Sequence, residues 1–305
     1  MLEYLFASAI AVLCIVIVLI FKKFNTQKSE LNYTKNLLIE KNEHLIELYR
    51  KLQSFKDLSI MDMDLASNVQ KSLLQQKLPD LKEWNIAFEY NPHLPVSGDF
   101  YDFYIEDNKL IGLCLFDVTG HGVSAGLVAV LTKPIVFRKF MHMRDKPLPE
   151  IALAVHNSIV EKIGDIGIFL TGILIRMNDQ TVEYINMGHP EMLLQHNDSI
   201  NKLVPNEKFG YKSPPLGIYD YKAPKESAVL HLERNDAICL YSDCLTESSE
   251  NLKNNFEESR VIELLEKSQE KSSQETIHEI VDAFYKENTK DTIKDDLTVI
   301  VVKKL

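Results

Sequence analysis

The chain has 305 residues, which is enough for one large domain of about 200–250 residues with additional segments. Its composition is 45% hydrophobic and 26% charged, as in an ordinary globular protein, and its formal net charge of −10 argues against a nucleic-acid partner held through phosphates. The four cysteines form no CxxC pair, so the sequence predicts neither a zinc site nor a disulfide framework and favours a reducing, cytoplasmic setting.

The N-terminal segment is apolar. The 18 residues from Tyr4 to Phe21 carry no charge, and a helix of this length just spans the hydrocarbon core of a bilayer. Three lysines follow within seven residues, while only Glu3 precedes the run, so the positive-inside rule places the rest of the chain in the cytoplasm. A cleaved signal peptide is the alternative, but it needs a basic segment before the apolar run. We predict that residues 1–28 are a single-pass anchor in the inner (cytoplasmic) membrane.

A polar helical stretch follows, from about Ser29 to Ser59. Apolar residues recur in it at heptad spacing, at Leu31, Leu38, Leu45, Leu48, Leu52 and Phe55. This pattern predicts a short parallel coiled coil and therefore a homodimer. The alternative is an amphipathic helix that lies against its own domain.

A second helical pattern connects this stretch to the remainder of the chain. Residues 58–78 have apolar side chains at helical spacing, and Pro79 is predicted to end the helix. We assign residues 29–79 to a linker and residues 80–305 to a separate domain, because the pattern changes to short apolar runs from Trp84.

The domain alternates between strand and helix patterns. Strands are predicted at residues 85–90, 99–104, 110–117, 169–177, 181–187, 191–195, 228–232, 237–241 and 297–302, with a tight turn at 178–180. Helices are predicted at residues 122–140, with an end or kink at Pro134, at 148–163, and across 259–285. This order of elements indicates an α+β layered fold.

Aspartates adjoin four of the apolar, strand-like runs, at Asp99, Asp117, Asp243 and the pair Asp295-Asp296. Clustered carboxylates lose hydration and repel one another, so they require cations. Ligand sets made of oxygen alone favour Mg²⁺ or Mn²⁺ over Zn²⁺. Two such ions bridged by an aspartate can activate a water molecule for in-line attack on a phosphoryl group. The residues by themselves therefore predict metal-dependent phosphoryl hydrolysis.

Six motifs extend this prediction, and they are SGDFYD, FDVTGHGVSAGL, YINMGHPEMLL, PPLGIYD, LYSDCLTES and DDLTVIVV. In order and spacing the chain resembles the bacterial PP2C-like (PPM) serine phosphatases of the SpoIIE/RsbU type over roughly residues 58–305. The connector with Ala66, Gln70 and Leu73-Leu74, followed by Pro79, is similar to the switch helix of that family. The resemblance implies an α-β-β-α sandwich, and it implies regulation by N-terminal segments. It also implies hydrolysis of phosphoserine or phosphothreonine on STAS-domain anti-sigma-factor antagonists.

The resemblance also implies a site that holds two Mn²⁺ or Mg²⁺ ions. Its ligands would be Asp99, Asp117, the Val118 carbonyl, Asp243 and Asp295, with Asp99 and Asp117 as the catalytic residues and Asp117 as the bridge between the ions. Asp296 would either bind a metal or orient Asp295. Gly98 would allow close approach to the site.

Two positions depart from the family pattern. Ser97 replaces the first glycine of a GGD motif and reduces backbone freedom there. Cys244 replaces a glycine, and it would be strained if that position requires a positive φ. Among the remaining residues, the sequence favours structural roles for His121 and His189 over phosphate contact or acid catalysis. It favours a supporting role for Asp102 and a solvated position for Lys133.

The sequence therefore predicts a membrane-anchored protein serine/threonine phosphatase that uses metal-activated water. A non-catalytic signalling scaffold with the same fold and a hydrolase of small phosphorylated molecules are the alternatives. The four intact aspartate centres count against the scaffold, whereas the anchor and the coiled coil favour signalling over metabolism.

Overall fold

We analysed a computed structural model of the chain, which describes residues 2–75, 77–178, 181–197, 199–204, 212–219, 221–247, 256–288 and 293–305. The chain divides into two compact units, Met1–Asp62 and Met63–Leu305. The second unit contains both sheets together with the last turns of the N-terminal helix.

One continuous helix, α1 (Leu2–Leu73), covers the segments for which the sequence predicts an anchor, a coiled coil and a connector. By length and composition its apolar part is sufficient to cross a membrane. All described side chains of α1 up to Asp62 are exposed, including the heptad leucines. The anchor and the coiled coil remain predictions.

Ten strands form the centre of the second unit. They are β1 (Trp84–Asn91), β2 (Phe100–Glu106), β3 (Lys109–Val118), β4 (Leu170–Met177), β5 (Thr181–Met187), β6 (Leu193–His196), β7 (Ser199–Lys202), β8 (Ala228–His231), β9 (Ala237–Tyr241) and β10 (Leu297–Lys304). They make two five-stranded antiparallel sheets, with the strand orders β1-β10-β9-β6-β7 and β2-β3-β4-β5-β8.

Helices cover both sheets. The helices of the second unit are α2 (Val123–His142), α3 (Leu148–Ile163), a 3₁₀ turn (Gly164–Ile166), α4 (Cys244–Glu247), α5 (Glu258–Lys267) and α6 (Ser273–Glu287). The helices α2 and α3 pack on the sheet that contains β3, whereas α5 and α6 pack on the sheet that contains β10. The predicted α-β-β-α sandwich is confirmed.

The end predicted for the connecting helix is wrong. The helix α1 stops at Leu73, before Pro79, and the Gln75 side chain just beyond it binds the backbone of the edge strand β2. The Gln75 side chain donates to the Phe103 carbonyl at 3.1 Å and accepts from the Phe103 N–H at 3.0 Å. The Tyr101 hydroxyl also donates to the Gln75 backbone carbonyl at 2.8 Å, so this backbone group has a partner outside the helix.

Of the two alternatives predicted at Pro134, the helix end is wrong, because α2 continues through the proline to His142, and the kink stays a prediction. Ile135, Val136 and Phe140 are buried beyond the proline. Burial of each such side chain contributes about 1.5–3 kcal/mol, which together exceeds the ~3 kcal/mol cost of an internal proline.

Other boundaries shift by a few residues. The predicted helical region 259–285 is two helices, because Ser272 makes a capping box with Glu275 and starts α6 afresh. The strand β7 is not predicted because its short, polar sequence Ser-Ile-Asn-Lys carries no strand pattern. The predicted turn at 178–180 lies partly outside the described residues.

Candidate functional site

The four aspartate centres lie at strand ends of both sheets. Asp99 immediately precedes β2 and Asp117 is next to last in β3, and these strands are antiparallel neighbours in which Phe100 pairs with Phe116. Asp243 follows β9, and Asp295 and Asp296 precede β10. Because β9 and β10 are also antiparallel neighbours, each sheet brings its two centres together.

The two pairs share one electrostatic environment. Burial, and then the charge of Asp117, raises the pKa of the Asp99 carboxyl far above its usual range. Burial, followed by the charges of Asp243 and Asp295, raises the pKa of Asp117 to about 8. The pKa values of Asp243 and Asp295 are also raised, chiefly by burial. Carboxylates from both sheets therefore destabilise one another's ionised forms.

The carboxylates do not converge into a finished metal site. Among the described residues, no three His, Cys, Asp or Glu side chains are grouped so as to hold a metal ion. The raised pKa values do not require such a group, because Coulomb repulsion between carboxylates acts over a longer range than the ~2.0–2.6 Å of a metal–oxygen bond. The set still fits hard divalent cations, because every donor is an oxygen and each carboxylate is disfavoured as an unneutralised anion.

Two turns meet closely beside these aspartates. A Cβ atom at Gly98 would lie 3.0 Å from the Val118 carbonyl oxygen and 3.3 Å from the Ala125 Cβ. A side chain at this position would therefore press on the predicted backbone ligand, as the sequence indicates for Gly98. The following turn has positive φ at Gly120 and Gly122, which delivers the chain from β3 into α2.

The loop before β2 is held by a buried hydrogen-bond network. The Asp296 carboxylate accepts from the His93 N–H at 2.8 Å, the Ser97 hydroxyl at 2.7 Å and the Gly98 N–H at 2.9 Å. From α1, the Gln70 amide donates to the Ser97 carbonyl at 2.7 Å and accepts from the Ser97 N–H at 2.9 Å.

Thr298 is a site residue that the sequence does not reveal. Its hydroxyl donates to the Asp99 carboxylate at 2.5 Å across 199 positions of the chain. Thr298 occupies the second position of β10, within a continuous apolar strand. Its partner belongs to the other sheet, and no sequence pattern reports such a contact.

The two histidines differ in environment. His121 is exposed on the turn after β3, and its charge lowers the pKa of Asp295 as a minor influence. His189 is fully buried, its Nδ1 lies 3.1 Å from the Thr171 hydroxyl, and its N–H donates to Asn186. Burial lowers the pKa of His189 to about 3, so its imidazole is neutral and structural.

Lys133 is not a solvated surface residue, so that prediction is wrong. Its ammonium lies 2.5 Å from the Asp102 carboxylate and donates to the Tyr101 carbonyl at 3.1 Å. Both side chains of the ion pair are about nine-tenths buried, with 11% and 12% exposure. The pair fastens α2 to β2, and Asp102 has the supporting role that the sequence indicates.

Cys244 is not strained, because it starts α4 and has no positive φ. Its thiol is buried and donates to the Asp295 carbonyl at 3.2 Å. Burial raises the pKa of this thiol well above its usual range, which opposes thiolate chemistry.

Comparison with known proteins identifies the family. The sequence profile described as Stage II sporulation protein E (SpoIIE) matches residues 107–304. Among curated proteins, phosphoserine phosphatase RsbU of Bacillus subtilis is 29% identical over 255 residues, which is 80% of this chain and 70% of RsbU. Phosphoserine phosphatase RsbP of the same organism is 26% identical over 195 residues, covering 63% of this chain and 46% of RsbP. The chain thus spans less than half the length of RsbP.

Solved structures share the fold. The SiaA-PP2C domain of Pseudomonas aeruginosa superposes with a TM-score of 0.68 at 15% identity, covering 81% of this chain and 98% of that domain. The catalytic domain of the serine threonine protein phosphatase PstP, in complex with two manganese ions, superposes with a TM-score of 0.53 at 16% identity, covering 73% and 99%.

Proposed function

Because this chain belongs to the SpoIIE family of PP2C-like phosphatases, we propose that it is a metal-dependent protein serine/threonine phosphatase. The observation that carries the proposal is that strand ends of both sheets carry aspartates, with a hydrogen bond from Thr298 of one sheet to Asp99 beside the other. Four strand ends supply acidic groups there, at an energetic cost that bound cations would remove. A non-catalytic signalling scaffold would have no reason to place these acidic groups together.

The metal-holding roles follow from the positions of the donors. Asp117 would be the central residue of the set that holds two ions, since it interacts with Asp99 in its own sheet and with Asp243 and Asp295 in the other. The Val118 carbonyl, against Gly98, would complete the set. When bound, two Mn²⁺ or Mg²⁺ ions supply Lewis acidity toward water and the phosphoryl oxygens.

One of the chain's own residues keeps an aspartate aligned. Thr298 orients the Asp99 carboxylate through its hydroxyl hydrogen bond. His189 takes no part in proton transfer, because its imidazole is buried and neutral.

The proposed substrate is phosphoserine or phosphothreonine in a partner protein. The support is the similarity to RsbU and RsbP, which are both named phosphoserine phosphatases. Within this class we propose a phosphorylated STAS-domain protein of a pathway that regulates a sigma factor. The apolar part of α1 would anchor the enzyme in the inner membrane, and its heptads would pair two chains.

The test is phosphate release by the full-length protein in detergent, from a phosphoserine peptide and from p-nitrophenyl phosphate. We expect release to require Mn²⁺ or Mg²⁺, to stop in EDTA, and to fall at least a hundredfold in Asp117→Asn. The matched control is Asp236→Asn, a buried aspartate at the opposite end of β9 that binds His196 at 2.8 Å. Release that survives EDTA or Asp117→Asn would refute the mechanism, and an inactive wild type with every metal would favour the scaffold.

A further inference from the structure

Asp296 differs from the other acidic residues of the site in how its oxygen atoms are used. It is 5% exposed, and three donors from the loop that precedes β2 point at its carboxylate. Oδ2 accepts two of these hydrogen bonds, from the Ser97 hydroxyl and the Gly98 N–H, and Oδ1 accepts one from the His93 N–H.

A carboxylate offers about four lone-pair positions, two on each oxygen. At Asp296 three are used, and Oδ2 has none left for a metal ion. By contrast, the hydrogen bond described for the Asp295 carboxylate is the one that its Oδ1 accepts from the Asp296 N–H at 2.9 Å. The neighbouring aspartates therefore have different capacities for a cation.

Ser97 connects this carboxylate to a predicted metal ligand. Its hydroxyl donates to Asp296 Oδ2 and accepts from the Asp99 N–H at 3.0 Å. The side chain is completely buried, so the hydroxyl has no water to replace either partner. The serine that stands where the family pattern has glycine thus makes bonds that a glycine cannot.

We propose that Asp296 is a positioning residue rather than a metal ligand. Together with the Ser97 hydroxyl, it fixes the turn from residue 93 to Asp99, so that one sheet sets the position of the aspartate on the other. Asp296 immediately precedes β10 and Asp99 immediately precedes β2, so this network joins the two sheets at the metal end of the sandwich. This role rests on the proposed two-metal function, and it distinguishes the residues that bind the ions from the residue that positions one of those ligands.

The predicted effect of losing the network follows from the cost of orphaned buried donors. In Asp296→Asn the Nδ2 group cannot accept, so at least one of the three donors of this loop loses its acceptor, whichever way the amide is oriented. In Ser97→Ala the Asp99 N–H loses its partner. Asp99 then becomes more mobile, and part of the free energy of Mn²⁺ binding is used to order it.

The experiment is a Mn²⁺ titration of the full-length protein, followed by the electron paramagnetic resonance signal of free Mn²⁺. We expect two bound ions in Asp296→Asn and Ser97→Ala, as in wild type, with dissociation constants raised about tenfold. Asp295→Asn should instead lose one ion. Ser273→Ala, in α6, is the matched control. Its buried hydroxyl donates to the Asn85 carbonyl at 2.7 Å, the same length as the bond from the Ser97 hydroxyl to Asp296. It should lower the melting temperature and leave Mn²⁺ affinity unchanged.

The outcomes separate this inference from the proposed function. If Asp296→Asn binds one ion fewer than wild type, Asp296 is a ligand and the inference fails while the phosphatase proposal stands. Unchanged affinities in both variants also overturn the positioning role. A wild type that binds no Mn²⁺ overturns both. Should Asp296→Asn fail to fold, the milder Ser97→Ala decides the positioning role, with faster amide hydrogen exchange at Asp99 as a second expected sign.

Discussion

At the scale of single residues, both the chemistry and the backbone conformation of Cys244 indicate a structural role. Where the family pattern has glycine, the cysteine fits a helix start without strain and donates its thiol to the Asp295 carbonyl. Its sulfur has therefore become part of the packing beside the acidic cluster. A replacement by glycine would remove a buried contact and gain no conformational relief.

We predict that Cys244→Gly lowers stability by about 1 kcal/mol, from the lost hydrogen bond and the added chain entropy, without raising kcat. Thermal unfolding and steady-state kinetics measure the two effects. In native wild type, Cys244 should resist dithionitrobenzoate and react after unfolding. Rapid native labelling at Cys244, or a several-fold faster glycine variant, would contradict the assignment.

Residue types alone identify the aspartates because each stands at the end of an apolar run. The carboxylates of Asp99 and Asp117 could be placed at one edge in this way, since β2 and β3 adjoin in sequence. The contacts of Thr298 and Asp296 could not, because they join parts of the chain separated by about 200 positions. Those contacts depend on how the two sheets stack. The spacing of apolar residues along the chain does not report that stacking.

At the scale of elements, the last turns of α1 carry two different faces. Ser67 and Gln70 are buried on the domain, as is Leu74 just after the helix, whereas Leu65 and Val69 are exposed. The buried face reaches the loop of Ser97 through Gln70. This contact gives the predicted switch helix a direct hydrogen-bonded route to the turn that carries Asp99.

Removing that route should weaken metal binding. We predict that Gln70→Ala, which leaves the buried N–H and C=O of Ser97 unpaired, raises the Mn²⁺ concentration for half-maximal activity severalfold or more. Gln75→Ala is the matched control, because that amide binds the Phe103 backbone of β2 instead. An identical metal dependence in Gln70→Ala and wild type would rule out this link.

Most elements of the domain follow from sequence pattern because its strands are long and apolar and its helices have one buried face. The exceptions have local causes. The polar strand β7 has no periodic signal, and α1 ends early because Gln75 finds backbone partners on β2. In α2, tertiary burial outweighs the proline.

At the scale of the whole molecule, α1 joins a fully exposed apolar segment to the phosphatase fold. We predict that the full-length protein sediments with membranes and resists extraction by high salt, whereas a chain lacking residues 1–28 is released. The apolar run at the N-terminus is the physical reason, since burying it in lipid removes its surface from water. Full-length protein in the soluble fraction would contradict the anchor.

The heptad pattern makes a separate prediction about assembly. Leu45→Asp places a charge in the proposed coiled-coil seam and should convert the dimer to a monomer in analytical ultracentrifugation. Ile46→Asp is the matched control, because Ile46 is also exposed but lies outside the seam. Equal dimer stability in the two variants would exclude a coiled-coil dimer.

The central claim is that carboxylates from both sheets hold two divalent cations at one end of the sandwich. The most direct measurement is anomalous X-ray diffraction from crystals of the protein grown with Mn²⁺. We predict two anomalous peaks within bonding distance of Asp117, flanked by Asp99, Asp243 and Asp295, with Asp296 outside the ligand shell. Peaks elsewhere, or no ordered Mn²⁺ beside Asp117, would contradict it.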